Sequence, residues 1–375
     1  MQKRIEKIQS LLKQKSASAF FITNQKNILY LTGFIGISPT DRESSLLITE
    51  KRTYLFVPKM YEQRAKTHCF ATQRNFTDEN FEIVVDHERY GLLTSFSQFV
   101  TEEDIILIEA QNLTLSEFEK IETVSRAQFV KEKFLIENFR MVKDQEEIEL
   151  LQKACEITDN VYNEIVLFLQ TTDVTTITEM DIAHFMRKSG QNFGADGFGF
   201  EPIIASGRGA AEPHYFTSST KFLQKNSCLL LDFGFAFGGY TADLSRNIYL
   251  GKAHEEYKKI FKLVQECQKE CIKACKAGLK THGIFDISYN FFKKHNVEKN
   301  YLHSLGHGVG LDVHESPSLG ASQEKILEEN MVITIEPGLY FENSFGVRIE
   351  DVVVVKNDGV EVLSKNSSRE LVEIL

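Results

Sequence analysis

The stretch Leu229–Leu250, LLLDFGFAFGGYTADLSRNIYL, constrains this chain more than any other. Apolar runs on either side of Gly238-Gly239 are a short-range hairpin signal. One arm ends in Asp232 and the other carries Asp243. Setting the two acids directly opposite each other puts the hairpin axis between Phe237 and Gly238, next to the expected turn. Opposed residues of an antiparallel pair hold their Cβ atoms about 4.5–5.5 Å apart. Two bare carboxylates at that distance on an apolar hairpin repel and are costly to desolvate. A cation between them, one divalent ion or two, is the expected remedy.

A second pair of segments repeats the pattern. Met331–Leu339, MVITIEPGL, ends near Glu336, and Phe345–Val355, FGVRIEDVVVV, carries Glu350. Pairing Glu336 with Glu350 puts the turn near Asn343. Arg348 lies two residues before Glu350 and so shares its face. Singly, an Asp at the end of an apolar strand reads as a turn cap, Glu336 as a strand terminus and His307 as a loop histidine between glycines, whereas Glu350 amid valines needs a partner. Taken jointly they form one set: four acids on two hairpins and an intervening histidine, with oxygen and nitrogen donors and no thiolate. That set suits Mn²⁺, Co²⁺, Zn²⁺ or Fe²⁺. Carboxylates that bridge two ions about 3.5–4 Å apart make the arrangement that activates a water.

The chain has 375 residues and a net charge of −10, which argues against a broad nucleic-acid surface. The N-terminal stretch MQKRIEKIQSLLKQK is charged throughout and has no signal-peptide core. No apolar run is long enough for a membrane span. The expected location is cytoplasmic, with no membrane or nucleic-acid partner. Cys267, Cys271 and Cys275 fall four apart on one face of an expected helix and read as small buried residues rather than a metal cluster. Strands and helices alternate up to about residue 138, with helices expected at 2–14, 61–66, 92–100 and 115–121, and the segment holds no cluster of chemical groups. The fold class expected is α/β (α+β), with one domain over 1–138 and a second over 139–375. In the second, two helix pairs are each followed by a carboxylate-bearing hairpin, which hints at internal duplication.

With these residues in view, the sequence resembles the Xaa-Pro aminopeptidase/prolidase branch of the creatinase–aminopeptidase, or pita-bread, metallopeptidases. The matching phrases are LDFGFAFGGYTADLSR (231–246), HSLGHGVGLDVHESP (303–317), ITIEPGLY (333–340), GVRIEDVVVV (346–355) and, in the first domain, NILYLTGF (27–34). The resemblance implies a creatinase-like N-terminal domain and a catalytic pita-bread domain with pseudo-twofold αββ halves. It implies that Asp232, Asp243, His307, Glu336 and Glu350 hold two divalent ions, Mn²⁺ first among the alternatives, with Asp243 and Glu350 bridging. It further implies that Glu336 shuttles a proton, that His314 stabilises the oxyanion, and that His214, His303, His314 and Arg348 line the substrate. The implied substrate is a peptide or dipeptide with proline second, and by analogy with relatives the protein is a homodimer. Gly209 departs from the polar residue often found there and leaves the contacts of the His214 loop open. A methionine aminopeptidase shares the GHGxG…HExP phrase, but the N-terminal domain and Arg348 argue against it. A creatinase-like C–N hydrolase or a pita-bread binding protein would dispense with ligands that this sequence keeps.

Overall fold

The computed structural model describes residues 2–38, 42–71, 80–86 and 91–375. The chain divides into two compact units, Met1–Phe139 and Arg140–Leu375.

In the first unit, α1 (Gln2–Lys15) buries Ile5, Ile8 and Leu12, the stripe expected of an amphipathic helix. It leads into β1 (Ala19–Ile22) and α2 (Gln25–Thr32), then β2 (Ser45–Thr49), β3 (Thr53–Pro58), α3 (Glu62–Ala71), β4 (Phe81–Asp86), β5 (Ile105–Glu109), α4 (Leu115–Val124), β6 (Gln128–Glu132) and α5 (Leu135–Arg140). The six strands form one mixed sheet in the order β4-β3-β2-β1-β5-β6. β1 is buried along its whole length, which explains its unbroken AFFI sequence. The NILYLTGF phrase builds α2. Asn24 caps its start, Gly33 ends it in the left-handed region, and Asn27 donates to the buried Glu109 at 2.6 Å. Glu109 also accepts the backbone N–H groups of Thr23 and Asn24 at 2.7 and 2.8 Å. The phrase is therefore accounted for by local structure. The helix expected over 92–100 is instead two short 3₁₀ turns, Gly91–Leu93 and Ser95–Phe99. Ser95, inside this stretch, donates its hydroxyl to Asp86 of β4.

The second unit opens with a helix pair, α6 (Gln145–Thr171) and α7 (Glu179–Asn192), each started by a reciprocal capping box, Asp144 with Glu147 and Thr178 with Asp181. Strands β7 (Gly197–Phe198) and β8 (Ile203–Ser206) follow, then a long hairpin of β9 (Ser227–Phe233), β10 (Phe235–Phe237), β11 (Tyr240–Thr241) and β12 (Leu244–Leu250). A second helix pair, α8 (Glu255–Ala274) and α9 (Thr281–Lys294), precedes β13 (His307–Gly308) and β14 (Glu315–Ser318). A second long hairpin comes next: β15 (Val332–Ile335), β16 (Gly338–Phe341), β17 (Phe345–Arg348) and β18 (Asp351–Val355), with β19 (Val360–Val362) and β20 (Val372–Ile374) at the end. The main sheets run β20-β12-β9-β8 and β14-β13-β15-β18-β19. The order of helix pair then broken hairpin thus occurs twice.

Strand β9 is buried on both faces. Leu229, Leu231 and Phe233 enter a core with Ile157, Tyr162 and Met186 of α6 and α7. Cys228 and Leu230 enter a different core with α8, Ile333, Ile335 and Val353. Asp232 continues the second series by the period of two, so it faces the second half. All six cysteines are buried free thiols. No helix among the described residues is long and apolar enough to cross a membrane.

Candidate metal centre

Both hairpins break at or near the acids. The first is interrupted at Gly234 and at Ala242-Asp243, the second at Glu336-Pro337 and at Ile349-Glu350. In the second hairpin one register runs through the break, with Ile335 opposite Asp351 and Gly338 opposite Arg348, so Glu336 and Glu350 are opposed as expected. Asn343 occupies the centre of its loop at φ 58°. The first hairpin differs from expectation by two residues. Asp232 lies opposite Ser245, and Phe237 opposite Tyr240. Gly238 and Gly239 both adopt positive φ, 58° and 81°, and form the whole of a two-residue turn, so the axis falls between them. A shift of two keeps every side chain on its face. Asp243 is thus a diagonal neighbour of Asp232 rather than its partner.

A strand break frees backbone carbonyls that need donors. The amide nitrogen of Gln268, buried on α8, lies 3.2 and 3.1 Å from the carbonyl oxygens of Ile335 and Ile349, just before Glu336 and Glu350, and 2.9 Å from Asp351 Oδ2. Arg246 donates to the carbonyl of Glu350 and, at 2.7 Å, to Asp351 Oδ1. Glu336 and Glu350 therefore project from fixed backbone.

Asp243, His307 and Glu350 each offer a ligand atom, all within 4.8 Å of one another. His307 reaches this point because β13 passes very close to its neighbour: a Cβ on Gly306 would lie 2.1 Å from the Thr334 carbonyl oxygen. His307 Nδ1 lies 3.1 Å from the Gly308 carbonyl, which assigns the proton to Nδ1 and leaves a lone pair on Nε2. That lone pair faces Glu336 Oε1 at 3.3 Å and Asp243 Oδ2 at 3.6 Å. Glu350 Oε2 accepts from Ser245 Oγ at 2.8 Å. Glu350 Oε1 and Asp243 Oδ1 are buried with no hydrogen-bond partner. The electrostatics follow. Burial and then the neighbouring carboxylates push Asp243 and Glu336 well above the usual range, and burial with Asp232 pushes Glu350 up to about 8. Burial, then His314, pulls His307 down to about 4, so protonating the imidazole does not relieve the clash of acceptors.

Arg348 organises the opposite side. It pairs with Asp232, donates through Nε to Ser245 Oγ at 2.8 Å and through Nη1 to Tyr340 OH at 2.6 Å, and lies 3.4 Å from the Pro213 carbonyl. Tyr340 OH lies 2.9 Å from His303 Nε2, while His303 Nδ1 is 2.7 Å from the Ser304 carbonyl. The tautomer consistent with both has Nδ1–H donating and Nε2 accepting. Both ring nitrogens of His303 are thereby engaged, and burial pulls its pKa down to about 3. His314 is exposed, and its ring stands edge-on to His307 at 4.4 Å. His214 is also exposed, and burial pulls the His314 pKa down. Gly209, on the turn before it, is required locally: a Cβ there would come within 2.8 Å of the Tyr215 ring. All nine residues singled out in the sequence lie in the second unit, on the two hairpins and the loops described. Ser245, Thr334 and Tyr340 were not singled out. Each lies two or four residues from Asp243 or Glu336, so following the period of two outward from the acids finds them.

With all four carboxylates ionised, one guanidinium leaves an excess of three negative charges, which is why burial and mutual repulsion raise the pKa values of Asp243, Glu336 and Glu350. An acceptor lone pair facing two carboxylates and two orphaned buried oxygens are satisfied by divalent cations, and the donors are of the oxygen and nitrogen type that such ions take. The residues fit a metal centre.

Comparison with known proteins agrees. Residues 149–357 match the model of metallopeptidase family M24, and residues 4–142 match the creatinase/prolidase N-terminal domain. The chain belongs to metallopeptidase family M24. The N-terminal match sets this M24 hydrolase in the prolidase branch of the pita-bread fold. It is 31% identical to the Xaa-Pro dipeptidase of Pyrococcus furiosus, covering 99% of this chain and 100% of that one. The solved Xaa-Pro dipeptidase from Bacillus anthracis superposes with a TM-score of 0.89 at 27% identity, covering 99% of each chain. The X-Pro aminopeptidase from Thermotoga maritima gives a TM-score of 0.83 at 30% identity, over 96% of this chain and 98% of that one.

Proposed function

We propose that this M24 protein is an exopeptidase that hydrolyses the bond between an N-terminal residue and a following proline, with two divalent ions held by Asp232, Asp243, His307, Glu336 and Glu350. The names of its relatives support the substrate class. The observation that carries the metal reading is the His307 Nε2 lone pair facing Asp243 and Glu336 beside two orphaned carboxylate oxygens. Mn²⁺ is the first ion to try, with Co²⁺, Zn²⁺ and Fe²⁺ as alternatives. Bound ions supply Lewis acidity and bring the pKa of a water toward neutrality.

The chain's own groups then divide the work. Asp243 and Glu350, each with an uncommitted oxygen, would be free to hold the ions. Asp232, oriented by Arg348, would help to hold the ions. Glu336 takes the proton of the attacking water and passes it to the departing proline nitrogen, which leaves as a secondary amine. His314 donates to the carbonyl oxygen as negative charge grows there. His214, exposed on its loop, orients the substrate. His303, with both nitrogens committed, lines the substrate through its ring and through Tyr340 holds Arg348.

Turnover of Ala-Pro, of Ala-Pro-Xaa-Xaa and of Met-Ala with Mn²⁺, Co²⁺ and Zn²⁺ supplied in turn tests this reading. Hydrolysis of either proline substrate is expected, and their ratio separates a dipeptidase from an aminopeptidase. Cleavage of Met-Ala with both proline substrates untouched would overturn the reading in favour of a methionine aminopeptidase.

A further inference from the structure

No side-chain hydrogen bond holds His314 among the described residues; its ring stands edge-on to that of His307. Its position is therefore set by its backbone, and that backbone is built around the next residue. The Glu315 side chain is turned inward, only 6% exposed. Its Oε1 accepts the backbone N–H of Asp312 at 3.1 Å and a bond from Arg140, and its Oε2 lies 3.3 Å from Lys143 Nζ. Arg140 also holds Asp312 Oδ2 at 2.6 Å. The loop closes so tightly on the carboxylate that a Cβ on Gly310 would sit 2.8 Å from Glu315 Oε2. Gly310 in turn accepts the Thr241 N–H at 2.8 Å, from the first hairpin.

The two cations are as buried as the acid, Arg140 3% and Lys143 1% exposed. They lie at the start of the second unit, in a segment pinned to the strand that leads to Glu336. Val142 bridges Met331, and Lys143 N–H donates to the Asn330 carbonyl at 3.0 Å. One ion cluster thus couples the backbone before β15 to the loop bearing His314. Buried ion pairs add little net stability over apolar packing, but losing one partner leaves the other charge buried and uncompensated.

We propose that Glu315, clamped by Arg140 and Lys143, is a positioning residue that sets the place of the His314 imidazole at the metal centre. This rests on the hydrolase reading above for His314. The test is a double-mutant cycle on the full-length Mn²⁺-loaded protein with Ala-Pro: Glu315→Gln, His314→Ala and the pair together. Glu315→Gln is expected to lower kcat about 10–100-fold, the range for groups that orient an active-site residue, with KM little changed. The double variant should be no slower than His314→Ala, because the two act as one unit. Equal loss from Glu315→Gln in both backgrounds, or no loss in either, overturns the proposal. Inactivity of the unaltered protein on Ala-Pro would instead fault the hydrolase reading. In that event the His314 ring resonance decides. It is assigned by its disappearance in His314→Ala and recorded on metal-free protein. A shift in Glu315→Gln supports positioning, and an unmoved resonance overturns it. If Glu315→Gln does not fold, Lys143→Met, which leaves Arg140 on the carboxylate, enters the same cycle with the same criteria.

Discussion

In the first hairpin Asp232 is met by a full guanidinium, that of Arg348. In the second, Glu336 faces an imidazole lone pair and a hydroxyl, and Glu350 a single serine hydroxyl with its other oxygen orphaned. The compensating groups cross over: Arg348 comes from the second hairpin to serve the first, and Ser245 from the first to serve the second. The centre is therefore unequal across its width. One side is neutralised by protein and held in place, and the other carries uncompensated charge around Asp243, His307 and Glu350. A pseudo-symmetric pair of hairpins has become an asymmetric site through one arginine.

The largest effect expected from this inequality is on metal content. Glu350→Ala should strip the protein of metal and bring peptide hydrolysis to background, whereas Asp232→Ala, outside the Asp243–His307–Glu350 group, should lose only part of its metal. Metal analysis after dialysis checks both, and equal loss in the two variants would break the asymmetry. Next, Glu336→Gln should lower kcat by about 10²–10⁴-fold, the usual worth of a positioned acid–base group, with metal retained. An unchanged rate removes Glu336 as the proton carrier. Arg348→Met is expected to lower turnover about 10–100-fold, since it frees Asp232 from its orienting partner. Its metal affinity should not weaken, because the site becomes more negative; weaker binding in a titration would mean that Arg348 shapes both sides.

The uncompensated side should also be visible without substrate. Glu350 is pushed up to about 8 from an ordinary 4.5, and Asp243 and Glu336 are pushed up as well. Between those values the folded metal-free protein holds protons that the unfolded chain has released. Its stability should therefore fall as pH rises from about 4.5 to about 8. Added Mn²⁺ should remove that fall, and thermal melts along the pH series check it. The smallest effects belong to the turns. Gly238→Ala should cost about 1–2 kcal/mol for a left-handed residue that now carries a Cβ. Asn343→Gly should be close to neutral, since Asn already tolerates that region. Chemical denaturation of the two variants measures the difference.

The acids, His307 and the pairing of hairpins were legible because they are local. Runs such as LLLDF and VVVV mark buried strands, and a carboxylate within such a run needs a partner. The second register was legible because a single residue, Asn343, centres its loop. The first was missed by two residues because the axis was set beside Gly238-Gly239 instead of between them. The Arg348–Asp232 pair, the donation from Gln268 to two interrupted strands, and the clamp of Arg140 and Lys143 on Glu315 were not legible. Each joins residues far apart in the chain, and no local period relates them.

The sequence by itself determined which chemistry this protein carries: oxygen and nitrogen ligands on two hairpins, glycines where backbone must turn or approach closely, and a family that its phrases identify. Only the tertiary structure decided how that chemistry is distributed. Burial makes an uncompensated carboxylate costly and its partners consequential, and which carboxylate has a partner depends on what the folded chain brings within about 3 Å of it. For Asp232 that partner is Arg348, and for one oxygen each of Asp243 and Glu350 the protein supplies none.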